Sequence, residues 1–226
     1  MGGQASGPAH QGVPVGSRDA LTIARIVRVN HAGEFGAIRI YSAQLLVSGW
    51  FWPDCSPALA EMLSHERNHC AIFHAAMPLR QSRPCRVMHF WSYGGWLLGF
   101  VTACLGRKGI WACTAAVEAA VHRHLDDQLY FVQNRDSELY EIILSIREEE
   151  LAHLRHAEAQ LPSRGAMVGM LRRIIALADQ RPDLALNLGR FQQDGPCVEG
   201  ARNMKIRAAN ADTWWSIALG FRGLCA

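Results

Sequence analysis

The sequence predicts an all-α chain: a four-helix bundle with an additional crossover helix between its halves and a further helix near the C-terminus. Three observations carry this prediction. Two glutamates are each followed 32 residues later by Glu-x-x-His, first Glu34 with Glu66 and His69, then Glu118 with Glu150 and His153, and every member of the second set lies 84 positions after its counterpart. Apolar residues around these positions recur at the three-and-four spacing of a helix face. Turn-forming residues fall at the midpoint of each 32-residue gap.

Residues 1–18 are rich in Gly, Pro, Ser and Gln, with neither an apolar signal core nor a run of arginines, and read as a disordered arm without a visible secretory or transit peptide. A bundle domain is expected over 19–191. Its first helix carries Ile23, Ile26, Val27 and Asn30 toward Glu34, and Ile38, Tyr41 and Leu45 beyond it. The stretch 48–57, with Gly49, Pro53 and Pro57, turns the chain back and brings Glu66 level with Glu34. The third helix carries Glu118. The polar cluster 133–137 turns the chain again, and Leu139, Ile142, Ile143, Ile146, Glu150, His153 and Leu154 share a face of the fourth. Near the end, Leu184 to Phe191 resembles a terminal apolar helix that the sequence Gln180-Arg181-Pro182-Asp183 would interrupt. For the tail 192–226 the sequence suggests no particular structure.

Between the halves, residues 87–105 are almost wholly apolar or aromatic, preceded by Arg80, Arg83 and Arg86 and followed by Arg107 and Lys108. A single membrane span here would put the two hairpins on opposite sides of a bilayer, and the four glutamates could never meet. The segment is therefore expected to lie in the membrane interface, with Trp91, Tyr93 and Trp96 at headgroup depth. The competing expectation is a buried crossover helix.

Composition narrows the function. Of 226 residues half are hydrophobic and the net charge is +3, too small a surplus to argue for nucleic acid. Seven cysteines without a Cys-x-x-Cys disfavour a zinc knuckle or a disulfide framework and fit a reducing compartment. No Gly-x-Gly-x-x-Gly marks a dinucleotide-binding unit.

A carboxylate and an imidazole on an apolar stripe are costly to bury alone, and metal coordination removes that cost. Residues i and i+3 share a helix face, so each Glu-x-x-His pair can grip one ion. Four carboxylates balance two ferrous ions, and a donor set rich in oxygen and free of thiolate suits iron or manganese over structural zinc. One Glu from each of two helices with Glu-x-x-His from each of the other two is the ligand pattern of ferritin-like di-iron bundles. Such reduced centres react with O2 in oxygenation, desaturation and ferroxidase chemistry.

The local sequence adds a resemblance. Arg28-Val29-Asn30-His31-Ala32-Gly33-Glu34-Phe35-Gly36-Ala37 with Arg39-Ile40-Tyr41 closely resembles the opening motif of the demethoxyubiquinone hydroxylase family, and the likeness continues through Glu66 and His69, Ala112-Cys113-Thr114, Val117-Glu118 and Glu149-Glu150-Leu151 with His153. It implies a peripheral membrane di-iron monooxygenase of ubiquinone biosynthesis, hydroxylating the ring of a polyprenyl methoxy-methyl-benzoquinol (demethoxyubiquinol to demethylubiquinol). It implies Glu34 and His69 on one iron, Glu118 and His153 on the other, and Glu66 and Glu150 bridging both. It gives His124 a part in electron or proton transfer, although the Tyr that family members often carry next is here Leu125. The implied cofactors are two Fe ions (Fe2+/Fe3+), with electrons from NADH or the quinol. The implied partners are the quinol, O2 and the membrane surface, with a second copy of the chain or other ubiquinone-biosynthesis proteins. The implied location is the cytoplasmic face of an inner membrane, or the matrix face in a mitochondrion.

Two other readings compete. A ferritin-like iron-binding or storage protein would use similar ligands without needing the aromatic 87–105 segment. An H-E-x-x-H zinc protease would use His65 and His69 as ligands and Glu66 as base. It leaves Glu34, Glu118, Glu150 and His153 without a role.

Overall fold

The computed structural model describes residues 18–161 and the isolated position 169. The expected arm, the region 180–191 with its C-terminal helix, and the tail 192–226 lie outside the described residues. Five α-helices follow one another: α1 (Arg18–Phe51), α2 (Ser56–Ala76), α3 (Met88–Cys104), α4 (Arg107–Val132) and α5 (Ser137–Ala159).

The boundaries have local causes. Asp19 lies in the first turn of α1, where a negative charge suits the helix dipole. Pro53 ends α1, because proline cannot donate the next backbone hydrogen bond. Trp52 then docks its indole N–H on the Ala103 carbonyl at 3.2 Å. Pro57 sits in the first turn of α2, where its missing N–H costs nothing. Gly106, at φ 86°, makes the left-handed corner between α3 and α4. Asp136 caps α5 by accepting from the Leu139 N–H at 2.9 Å. Both turns fall where the midpoint argument put them.

α1 and α2 form one antiparallel hairpin, α4 and α5 the other, and α3 is the crossover that lets α2 and α4 run in the same direction. Its bounds agree with the predicted 87–105. The α1 stripe is wider than predicted: Ala37, Ile40, Gln44 and Val47 are buried as well. The reason is that α1 is covered on several sides, by α2, α4 and the parallel α3. The Gln44 amide donates to Thr102 Oγ1 at 3.3 Å along the α1–α3 seam.

The interior divides into two apolar clusters. One gathers Tyr41, Leu59, Met62, Ile110, Trp111 and Ala157. The other gathers Ile23, Val27, Phe73, Leu125, Leu139, Ile143 and Ile146. On every bundle helix the predicted ligand positions fall between the two.

Arg80 does not face outward with the other basic residues around α3. Its guanidinium grips both Asp136 oxygens, at 2.7 and 2.9 Å, and ties the end of α2 to the cap of α5. Arg83 and Arg86 are exposed. Among the described residues no helix is long and apolar enough to cross a membrane. Cys55, Cys70, Cys104 and Cys113 are free thiols, whereas Cys85 is disulfide-bonded, an exception to the reducing reading.

The α1–α3 seam requires glycine. A Cβ at Gly99 would stand 2.3 Å from the Ile40 carbonyl oxygen, and one at Gly95 2.7 Å from that of Gly36. Gly99→Val is expected to lower stability by about 1–3 kcal/mol through forced separation of the helices. Chemical denaturation measures this, and an unchanged midpoint would mean that α3 does not lie against α1.

Candidate metal centre

The six predicted side chains meet. Glu34 comes from α1, Glu66 and His69 from α2, Glu118 from α4, and Glu150 and His153 from α5; all six are buried. Their ligand atoms form two sets. Glu34, Glu66, His69 and Glu150 can hold one ion, and Glu66, Glu118, Glu150 and His153 another, with the atoms of each set within 4.8 Å of one another. Glu66 and Glu150 belong to both sets. Each imidazole turns Nδ1 inward: His69 Nδ1 is 3.0 Å from Glu150 and 3.7 Å from Glu34, and His153 Nδ1 is 3.4 Å from Glu150 and 3.5 Å from Glu66.

These donors fit metal ions better than one another. Glu66 Oε1, both Glu150 oxygens, His69 Nδ1 and His153 Nδ1 are buried without a hydrogen-bond partner. Buried polar atoms are rarely left so, and a cluster of five aimed at one space fits a set of metal ligands. A shell of carboxylates and imidazoles suits iron or manganese.

Charge agrees. Burial, reinforced by the Glu150 charge, pushes the Glu66 and Glu118 carboxyls well above their ordinary 4.5, and burial also raises Glu34. Burial works to lower the His69 pKa, but Glu150 and Glu34 outweigh it and raise the imidazole to about 10. Burial opposes Glu150 as well, yet His153 and His69 hold its carboxyl below the ordinary range. Without metal, protons therefore stand where cations would.

The surroundings position the ligands. The Tyr41 hydroxyl donates to Glu118 Oε1. Asn30 and His31, a turn or less before Glu34, make other contacts. The Asn30 amide exchanges hydrogen bonds of 2.7 and 2.9 Å with Gln128, joining α1 to α4, and the His31 ring lies beside His74. His124 is half-buried on α4 and belongs to neither ligand set.

Two residues touch the imidazoles in roles that the sequence did not announce. Glu149 places Oε2 3.1 Å from His69 Nε2. His65 places Nδ1 2.9 Å from His153 Nε2, with the two rings within 9° of parallel and meeting edge to edge. His65 is thus outside both ligand sets, contrary to the zinc-protease reading. A signal was present: positions 65 and 149 are also 84 apart.

Comparison with known proteins places these residues among relatives. The family described as "Ubiquinone biosynthesis protein COQ7" matches residues 21–180. The mouse (Mus musculus) protein "NADPH-dependent 3-demethoxyubiquinone 3-hydroxylase, mitochondrial" is 37% identical over 146 residues, 63% of this chain and 66% of that protein. The Rhodospirillum rubrum "3-demethoxyubiquinol 3-hydroxylase" is 37% identical over 145 residues, 64% of this chain and 68% of that protein. The Saccharomyces cerevisiae "5-demethoxyubiquinone hydroxylase, mitochondrial" is 29% identical over 150 residues, 60% of this chain and 64% of that protein. The chain thus spans about two-thirds of the length of the curated relatives it matches.

The charge pattern predicts how stability varies with pH. Glu66 and Glu118 keep protons in the folded metal-free chain that the unfolded chain loses above their ordinary 4.5, so folding weakens as pH rises. His69 acts in the same direction: its stabilising charge is fully present below 6.5 and is lost as pH rises through about 10. Glu150 contributes stability that is constant above 4.5 and is lost only on acidification. The Tm of chelator-treated protein is therefore expected to fall between about pH 6 and about pH 8.5, and metal loading should flatten the slope by replacing protons. A metal-free Tm that rises over this range would contradict the charge assignment.

Proposed function

The chain belongs to the family described as ubiquinone biosynthesis protein COQ7, and on that premise we propose that it is an O2-dependent di-iron monooxygenase that hydroxylates the ring of a polyprenyl methoxy-methyl-benzoquinol, converting demethoxyubiquinol to demethylubiquinol. The observation that carries the reading is the pair of four-ligand sets sharing Glu66 and Glu150 in the bundle interior. A bound iron pair would supply the two-electron reduction of O2 that ring hydroxylation requires.

The chain's residues define what such a site does. Glu34 and His69 hold one ion, Glu118 and His153 the other, and Glu66 and Glu150 join them. Tyr41 fixes the orientation of Glu118 through its hydrogen bond. The Asn30–Gln128 pair locks α1 to α4 beside the ligand layer. The apolar clusters on either side exclude water, which favours oxidation of the ring over loss of oxidant to solvent. One oxygen atom enters the ring C–H bond. The other leaves as water with two protons and two electrons. His124, fewer than two turns beyond Glu118, serves in this reading as a relay for electrons or protons. The electron source is a reduced nicotinamide or the quinol. The mammalian relatives' names specify NADPH where NADH had been expected.

A polyprenyl substrate dissolves in membrane, and α3 offers a surface suited to it. Tyr93 is 78% exposed and Leu97 58%, with Trp96, Phe100 and Val101 also exposed, while Gly95 and Gly99 on the same helix lie against α1. Exposed Arg83 and Arg86 precede the helix. In the proposed arrangement α3 lies in the membrane interface of an inner membrane and the bundle sits on that surface. An iron-storage protein has no use for such a face.

Two measurements test the reading. Anaerobically loaded protein should bind about two iron ions per chain and consume O2 with a short-chain demethoxyquinone and NADPH. Glu150→Ala should reduce turnover to below ~1% of wild type with helicity retained, since that carboxylate joins both ions. Retained turnover, or many irons per assembly, would overturn the assignment. In flotation with anionic vesicles at low salt the protein should travel with the lipid; complete recovery in the soluble fraction would remove α3 from the membrane.

A further inference from the structure

The pseudo-repeat extends one step beyond the ligands. The residue immediately before each shared glutamate is His65 in the first hairpin and Glu149 in the second, again 84 positions apart. Each reaches across the α2–α5 contact to the outward nitrogen of the other hairpin's histidine. Glu149 Oε2 lies 3.1 Å from His69 Nε2, and His65 Nδ1 lies 2.9 Å from His153 Nε2. The contacts are related by the repeat, but their chemistry is not: one partner is a carboxylate and the other an imidazole.

We propose that Glu149 and His65 are positioning residues that hold the two imidazoles with Nδ1 inward, and that their unlike chemistry makes the two ion positions inequivalent, the position beside His69 binding more tightly. The inference rests on the two-ion reading above and goes beyond it. An imidazole bound to metal through Nδ1 keeps its proton on Nε2 and must donate it outward. On His69 the acceptor is a carboxylate, which draws the N–H proton and makes Nδ1 a stronger donor to a cation. On His153 the acceptor is the Nδ1 lone pair of His65, a neutral group that pulls less on the proton. The His65 and His153 rings lie within 9° of parallel with the two nitrogens in line, an edge-to-edge arrangement that holds this second contact in register. His65 and Glu149 are partly exposed, at 38% and 40% of their side chains, so both can be exchanged without opening the core.

The test uses the full chain, freed of metal and titrated anaerobically with 57Fe(II), read by binding isotherm and Mössbauer spectrum. Wild type should bind two ions in two resolved steps and show two quadrupole doublets of equal area. Glu149→Gln, which keeps an acceptor but removes the charge, should weaken the first step about 10- to 100-fold and leave the second unchanged. His65→Glu, which places a carboxylate behind both imidazoles, should bring the steps and the doublets together. Circular dichroism checks that each variant is as helical as wild type. Two ions bound in one indistinguishable step with a single doublet, or a Glu149→Gln variant whose first step is unmoved, would overturn the proposal while leaving the two-ion reading intact. Absence of bound iron in wild type would remove both. Should a variant fail to fold, the number of wild-type doublets alone decides.

Discussion

The constraint on which the structure depends is a layer of four carboxylates and two imidazoles sealed between two apolar clusters. Like charges about 4 Å apart repel by about 4 kcal/mol at an effective permittivity of ~20. Four acids cannot be packed at that spacing inside a bundle unless protons or cations neutralise them. The rest of the architecture follows from bringing them together. Each hairpin must return its Glu-x-x-His to the level of its lone glutamate, which sets the distance to each turn. The two hairpins must then face one another with their layers aligned, which requires a crossover long enough to carry the chain from the end of α2 to the start of α4. Apolar residues one or two turns to either side of every ligand complete the seal. Tyr41 belongs to the apolar cluster on one side and donates to Glu118 in the layer, so the seal and the site share a residue.

The crossover is also where the fold departs from a bare bundle. α3 lies parallel to α1 and close enough that only glycine fits at two positions. That close approach uses one face of α3 and leaves its aromatic face outward. It also explains why α1 carries buried polar residues such as Gln44, which a helix packed on one side alone would turn to solvent. One element thus links the interior, through α1 and its Glu34, to an exposed aromatic surface.

Much of this was legible in the sequence because helical spacing encodes faces and levels. The repeated interval brought all six side chains to one level, and proline and polar clusters placed both turns. The apolar run gave α3 nearly to the residue. What spacing does not encode is a partner. Asn30 lies one turn before Glu34, yet its side chain points to Gln128, 98 residues away. Arg80 precedes the apolar segment and looked like part of its basic flank, yet it is held by Asp136 on the opposite hairpin. Leu125, where the family resemblance implied tyrosine, is core: it is 1% exposed among Ile143, Phe73 and their neighbours. Any redox role for the adjacent His124 must therefore be filled without an aromatic hydroxyl at that position.

The string His65-Glu66-Arg67-Asn68-His69 shows how a motif and its structural context can diverge. On one helix, residues four apart lie on the same side, so a local reading assigns both histidines to a shared ion. The bundle separates them by depth. His69 stands in the ligand layer with Nδ1 toward the buried carboxylates of Glu34 and Glu150, while His65 is one turn away, partly exposed and occupied by His153. Its repeat partner, Glu149, occupies the same outer position against His69. The repeat is therefore a better guide than the motif, because it predicts the function of position 65 from position 149 rather than from the neighbouring letters. Where the halves agree, at the six ligands, the site is symmetric. Where they disagree, at this outer pair, a carboxylate stands behind one imidazole and a second imidazole behind the other, and under the proposed hydroxylation, which sends one atom of O2 to the ring and one to water, that difference would let two otherwise equivalent ions be treated unequally.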